Sequence, residues 1–299
     1  MKMKAYIGLN RDMTCGGFKY KEGETYHINK TKLQGSGFHT YEYPLDMLAY
    51  YPLNSSVYHE VKLKNVSSEY KNDTKSIKIG ARMNIANLVK ASVEYIMSKC
   101  DSSRRRLAMG DRDATFAIGD SAEASAIGHY STASATGDYS AALSTGFQGT
   151  ASTTGFRSAA SVTGIQGVAS TTGFQSAASA TGNQGAAFST GNWSATSTTG
   201  NQGVASVTGD KSAAFAIGYQ SAASATGYQG TASADNPTAI AVAWGLNGRA
   251  KGVLGAHIVC AEWEDNKLIC AKMAQVDGVT IKADTYYVLV NGDFVEVDE

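Results

Sequence analysis

The chain has 299 residues, with 26 Lys+Arg against 26 Asp+Glu, and only 17% of its residues are charged. A neutral, weakly charged chain offers nucleic acid or an anionic membrane no global field, and 43% apolar content excludes a wholly disordered polymer. Glycine occurs 32 times and proline 3 times; glycine without proline points to a periodic backbone, so internal repeats come first.

Residues 1–109 have ordinary composition and read as a small α+β domain. Strands are expected at Lys4–Leu9, Glu24–Ile28 and Val57–Val66, and a helix near Asn84–Lys99 whose Met83, Ala86, Val89, Val93 and Ile96 share a face. The N-terminus lacks the apolar core of a signal peptide, and no stretch approaches the ~18 apolar residues that span a bilayer. Cys15, Cys100, Cys260 and Cys270 show no CxxC spacing, so reduced thiols and no metal centre are expected. His27, His59, His129 and His257 likewise lack ligand spacing. The run Arg104-Arg105-Arg106 is expected to close the helix, where cations suit the C-terminal end of the dipole.

From Gly110 a glycine recurs every nine residues as far as Gly227, and Asn236 and Gly245 continue the period, giving sixteen nonapeptides over residues 110–253. With glycine as position 1, position 6 is Ala in fourteen repeats and Thr in two (Thr115, Thr196), position 4 is Ser, Gly or Ala except at Asp113, and position 8 is small. Small residues at 4, 6 and 8 have the two-residue period of a strand with one tightly packed face, and glycine with two variable residues supplies a turn. Position 4 alternates Ser140, Gly149, Ser158, Gly167, Ser176, Gly185, Ser194, Gly203, a chemical period of eighteen. Two nonapeptides therefore form one coil of a parallel β-solenoid, eight coils in all and about 40 Å long at ~4.8 Å per stacked strand. Position 6 faces a thin interior, while position 5, such as Ala177, is expected to face outward and tolerate larger side chains.

Residues 254–299 abandon the period. Alternating stretches at Leu254–Trp263, Lys267–Val276 and Tyr286–Leu289, with turns at Asp265-Asn266, Asp277-Gly278 and Asn291-Gly292, read as antiparallel hairpins that cap the solenoid's open end. The expected fold is mainly β: the solenoid, an N-terminal α+β domain and a β-rich cap.

The stretch Ala117–Gly128 and the recurring GxxSxAxxT that follows resemble the head repeats of trimeric bacterial adhesins, although the spacing is nine. Calcium-binding nonapeptide rolls carry Asp in their turns, whereas Gly-Phe-Gln and Gly-Asn-Gln stand here, so no calcium is expected. Tyr6–Phe18, Gly35–Tyr51 and Val57–Val61, with Ala239–Gly245 and Ala261–Trp263 after the Ala/Ser/Thr/Gly tract, resemble an uncharacterised domain family of phage and prophage proteins. That resemblance implies a location in the bacterial host cytoplasm or the virion. Gly35–Tyr51 also resembles the strand-helix segment of ADP-ribosyltransferases, which implies His39, Tyr50 and Tyr51 lining an NAD pocket and Glu60 orienting the ribose. The first strand of that fold presents His or Arg to NAD, and Tyr6–Leu9 has neither unless Arg11 serves, so a fold without chemistry and without cofactor is expected.

Two solenoid surfaces are candidates for contact. Corner positions 2 and 3 carry Phe147, Phe156, Phe174, Trp193, Tyr219 and Tyr228 among glutamines, a row suited to a glycan or another protein. Positions 7 and 9 repeat Ser-x-Thr in a hydroxyl grid like that of ice-binding solenoids, yet such a weakly charged face suits close packing between subunits better. Phe116, Leu143, Phe188 and Phe215 at position 7 project outward and are expected to form the face of a homo-oligomer, a trimer by the adhesin resemblance. The expectation is a non-enzymatic structural or interaction protein whose solenoid is a rigid spacer and binding surface.

Overall fold

The computed structural model describes residues 4–15, 18–27, 38–51, 56–66, 74–101, 103 and 105–297. Strands β1 (Lys4–Asn10), β4 (Thr25–His27), β5 (Ser56–Val66) and β6 (Thr74–Met83) form an antiparallel sheet ordered β1-β5-β6-β4, and β2 (Thr14–Cys15) pairs with β3 (Phe18–Lys19). One face of that sheet buries Ile7, Leu9, Val61 and Ile79 in a core of its own. A 3₁₀ turn at Pro44–Ala49 and helix α1 (Ile85–Lys99) lie against its other face. Asn84 starts α1 by accepting a 2.8 Å hydrogen bond from Asn87 N, satisfying one of the first-turn donors.

The strands β7 (Arg105–Met109) to β23 (Arg249–Gly252) wind as a parallel solenoid of about nine turns with coils of about eighteen residues. Every strand pairs with the one eighteen residues away, as Ala177↔Ala195 and Val168↔Ala186 show, so odd and even strands build two separate sheets. Positions 4, 6 and 8 point inward: Ser176, Ala178 and Ala180 are all buried. The parallel ladder extends one strand beyond both expected boundaries. Arg105–Met109 already pairs with Glu123–Ile127, and β24 (His257–Glu264) pairs in parallel with Ile240–Ala243.

The Ser/Gly alternation at position 4 has a steric and a polar cause. A Cβ on Gly167 would lie 2.1 Å from Val162 Cγ1, so this corner gives its space to larger position-8 side chains. At the opposite corner Ser194 Oγ accepts from Ser176 N at 3.2 Å and donates to Gly173 O at 3.1 Å, satisfying turn groups that water cannot reach. The glycine of position 1 is needed twice over. Gly164 has φ of +149°, and a Cβ there would meet the Gly146 carbonyl oxygen at 1.9 Å.

At the C-terminal end β25 (Lys267–Gln275) folds back on β24 through Asp265-Asn266, both left-handed, and β26 (Tyr286–Val290) pairs with β27 (Asp293–Val297) through Asn291-Gly292. These hairpins continue the two sheets as antiparallel strands and close the thin alanine core with Ile258, Tyr287 and Leu289. The basic run behaves differently from expectation. α1 ends at Lys99 with Cys100 as its C-cap; Arg105 and Arg106 open the first solenoid strand, Arg105 sitting 3.1 Å from Glu123, and Arg104 lies outside the described residues, as does Ile28 of the second expected strand.

The N-terminal domain does not sit beyond the first coil. It lies along the solenoid's flank, with α1 against Ala141, Ala159, Ala177, Ala195 and Ala213 in one shared core. A fifteen-residue helix is about 22 Å long and five stacked strands span about 19 Å, so α1 crosses the strands and fits the stripe end to end. Position 5 thus faces outward on both sheets, but on this one it is covered. Ala177 is wholly buried, which corrects the expectation that it stands free.

Candidate functional site

The sheet that carries α1 can be called the covered sheet, and its partner, from Ala114–Ile118 through Ile240–Ala243, the open sheet. Outward positions of the open sheet repeat Thr or Val, Ser and Thr, as in Thr150/Ser152/Thr154 and Val168/Ser170/Thr172, with the threonines of position 9 in a continuous exposed row. No charged residue occupies an outward position there between Ala114 and Val242. Eight strands about 4.8 Å apart and five residues at about 3.3 Å each make a face of roughly 550 Å².

The four residues expected on one oligomer face divide between the sheets. Phe116 and Phe188, 65% and 41% exposed, stand on the open sheet. Leu143 and Phe215 stand on the covered sheet, where the chain's own α1 and 3₁₀ turn join them in one apolar cluster. Part of the burial expected from a partner subunit is therefore supplied within the chain.

The corner aromatics also divide. Phe147 and Tyr219 lie on one corner, beside an amide ladder in which Gln148 donates to Gln166, Gln166 to Gln184, Gln184 to Gln202 and Gln202 to Gln220 at 2.8–3.2 Å. Phe156, Phe174, Trp193 and Tyr228 lie on the other. There Phe156 and Phe174 stack at 5.8 Å, and Trp193 follows at 4.8 Å, so these rings pack coil on coil. Corner carboxylates and amides are occupied too: Asp138 Oδ1 accepts from Phe156 N and Asp210 Oδ1 from Tyr228 N, each at 2.9 Å. Among the described residues no three His, Cys, Asp or Glu side chains gather as a metal site.

The residues implied by the transferase resemblance are spread out. His39 is exposed, and Tyr50, 74% exposed, stacks on Tyr41; Gly35, Ser36 and Gly37 of that segment lie outside the described residues. Tyr51 lies over Gly8, where a Cβ would come within 2.4 Å of its ring, and its hydroxyl is 3.0 Å from Cys15 Sγ. Glu60 is opposite Tyr6 on β1, 3.8 Å from Lys4, in a cavity of about 420 Å³ walled by Lys4, Lys78, Arg82 and Lys90. His39, Tyr50 and Tyr51 do not line that cavity. Among the described residues, His39, Tyr50, Tyr51 and Glu60 do not converge on one point. Burial pushes the Cys100 thiol up to about 11 and the Cys260 thiol up to about 12, which keeps both protonated at neutral pH.

Sequence reasoning missed the seam that joins domain and solenoid. Tyr43 Oη donates to the Gln175 carbonyl at 2.6 Å, and Arg157 reaches Asp46 while its guanidinium lies 4.8 Å from the Phe156 ring centroid. The signal was present at position 5, where Ala141, Ala159, Ala177, Ala195 and Ala213 alternate with Thr150, Val168, Ala186 and Val204 at the same period of eighteen.

A family described as a domain of unknown function, DUF7666, matches residues 3–91, from β1 into α1, leaving the solenoid and the cap outside the match. No curated protein and no solved structure matches the chain.

Proposed function

We propose that this chain is a non-enzymatic structural protein of phage or prophage origin whose solenoid is a rigid scaffold and whose open sheet packs against a second copy. The origin rests on the resemblance of Tyr6–Phe18, Gly35–Tyr51 and Ala239–Gly245 to phage and prophage proteins, and implies residence in the bacterial host or the virion. The observation that carries the function is the open sheet itself: a charge-free face with Phe188 standing 41% exposed within it, while five coils of the opposite sheet, from Ala141 to Ala213, are covered by the N-terminal domain. Because that domain lies along the flank, the solenoid serves as a platform rather than as a spacer between domain and cap.

A stable interface buries about 800 Å² per partner, and the open sheet supplies roughly two-thirds of that before its corners are counted. Matching rows of Ser and Thr at equal spacing favour a copy of the same surface. Sedimentation equilibrium tests this. A mass that is a multiple of 31.4 kDa, lowered by Phe188→Asp more than by Phe188→Ala, supports the reading, because Asp would bury an unpaired charge. A single-chain mass at micromolar concentration overturns it.

A further inference from the structure

We propose that the N-terminal end of the solenoid docks onto the same end of a second copy, a contact separate from the one on the open sheet. Strands β7 and β8 (Ala114–Ile118) are the last members of their two sheets, and among the described residues neither has a hydrogen-bonded strand on its outer side. Hydrogen bonds to the next coil fix which of their backbone groups stay free. Gly110 N donates to Ile127 O and Gly119 N to Thr136 O, and residues of a parallel strand bond alternately to its two sides, so residues 106, 108, 115 and 117 also face the next coil. The N–H and C=O groups of Arg105, Leu107, Met109, Ala114, Phe116 and Ile118 therefore point out of the open end.

The side chains there are apolar as well. Positions 7 and 9, Ser and Thr through most of the rod, hold Leu107 and Met109 on one sheet and Phe116 and Ile118 on the other, all more than half exposed and Ile118 at 84%. Helix α1 packs on Ala141 through Ala213 and leaves this collar bare. The opposite end is built differently: its outermost strands, β25 and β27, carry Lys267, Lys272, Asp293 and Glu296, charges that discourage an added strand.

Two observations make the occupant a second copy. The end presents two strand edges at once, on sheets roughly 10 Å apart, and an extended peptide can satisfy only one of them. An identical end, turned about a two-fold axis perpendicular to the sheets, satisfies both by setting β7 antiparallel to β7 and β8 antiparallel to β8. Centred on Leu107 and Phe116, this arrangement completes about twelve backbone hydrogen bonds and sets each of those side chains beside its own copy. The charges are also self-complementary. Inward positions 6 and 4, small in the inner coils, hold the exposed Arg106 and Asp113 in this one. Arg106 lies near the start of β7 and Asp113 at the corner beyond its end, so reversing the strand turns Arg106 of each copy toward Asp113 of the other.

The test is sedimentation equilibrium on the full chain carrying Phe188→Asp, which disables the open sheet so that the end contact is read alone. The expected mass is twice 31.4 kDa, with a Kd in the micromolar range because an end about 17 Å long is a small interface. Leu107→Pro, on the covered sheet, removes an N–H that the chain's own ladder does not use and should weaken the dimer at least ~10-fold, with the melting temperature of the dilute protein within about 2 °C of the parent. Should that variant fail to fold, Met109→Lys reads the same loss, because its 69% exposed side chain would meet Arg105 of the other copy. An equal twofold mass for wild type and Phe188→Asp leaves the end contact standing and removes the open-sheet one. A single-chain mass at ~100 μM overturns the proposal, and so does a dimer that both variants leave unchanged. A mass that climbs past two copies with concentration shows head-to-tail stacking on β25 and β27 and overturns the two-fold contact.

Discussion

Arg157, the third residue of its repeat, holds the Asp46 carboxylate at 2.5 Å across 111 residues of sequence, between the rings of Phe156 and Tyr43. Both side chains are about three-quarters shielded, at 22% and 24% exposed, and burial outweighs the arginine in pushing the Asp46 carboxyl above its ordinary range. Arg157→Ala removes the charge partner and the packed guanidinium together. A double-mutant cycle with Asp46→Ala, read by urea unfolding, is expected to return a coupling of about 0.5–3 kcal/mol. Arg157→Lys should not restore it, since an ammonium lacks the plane that rests on the rings. A coupling of zero would show that this contact does not fasten the domain to the solenoid.

Substitutions at neighbouring alanines separate the two sheets. Ala178→Leu overfills the interior and Ala177→Leu wedges α1 off its stripe, so each should cost about 1–3 kcal/mol. Ala186→Leu, outward on the open sheet, should stay within about 0.5 kcal/mol. Chemical denaturation of the three variants checks the order, and a mild Ala177→Leu would contradict the docking of the helix.

Gly164→Ala places a Cβ against the Gly146 carbonyl in a left-handed backbone, whereas Gly185→Ala meets nothing nearer than 3.2 Å. The first should cost at least about 3 kcal/mol and the second much less. Similar melting temperatures for the two would mean that the coils separate more easily than their hydrogen-bonded turns imply.

The cap carries an acid-sensitive contact. Glu262 accepts the N–H groups of Asn291 and Gly292, each at 2.7 Å, and these bonds hold its carboxyl below the ordinary 4.5. A carboxyl with a lowered folded-state pKa contributes fully above the unfolded value and loses that contribution as pH falls through the folded one. The melting-temperature advantage of wild type over Glu262→Gln should therefore be constant from neutral pH to about 4.5 and shrink below it. An advantage independent of pH down to 3 would show that the charge on Glu262 does not hold the turn.

The coil was legible in the amino-acid sequence because its constraints are local. Gly164 must turn left-handed, Gly167 must yield to Val162, and Asp265-Asn266 and Asn291-Gly292 must reverse a strand, whatever the rest of the chain does. The hydroxyl rows of the candidate face were legible for the same reason, since alternation along a strand sorts inward from outward. It does not say which outward face stays bare. Ala177 and Ala186 occupy the same repeat position, and only the packing of α1, some ninety residues earlier in the chain, buries one and leaves the other at the surface. Phe188 and Phe215 divide in the same way, and a cavity lined by Arg11, Arg82 and Lys251 exists only because that packing brings the domain against the cap. Such contacts between distant segments leave no period in the sequence. They are decided by where a fifteen-residue helix finds an alanine stripe of its own length.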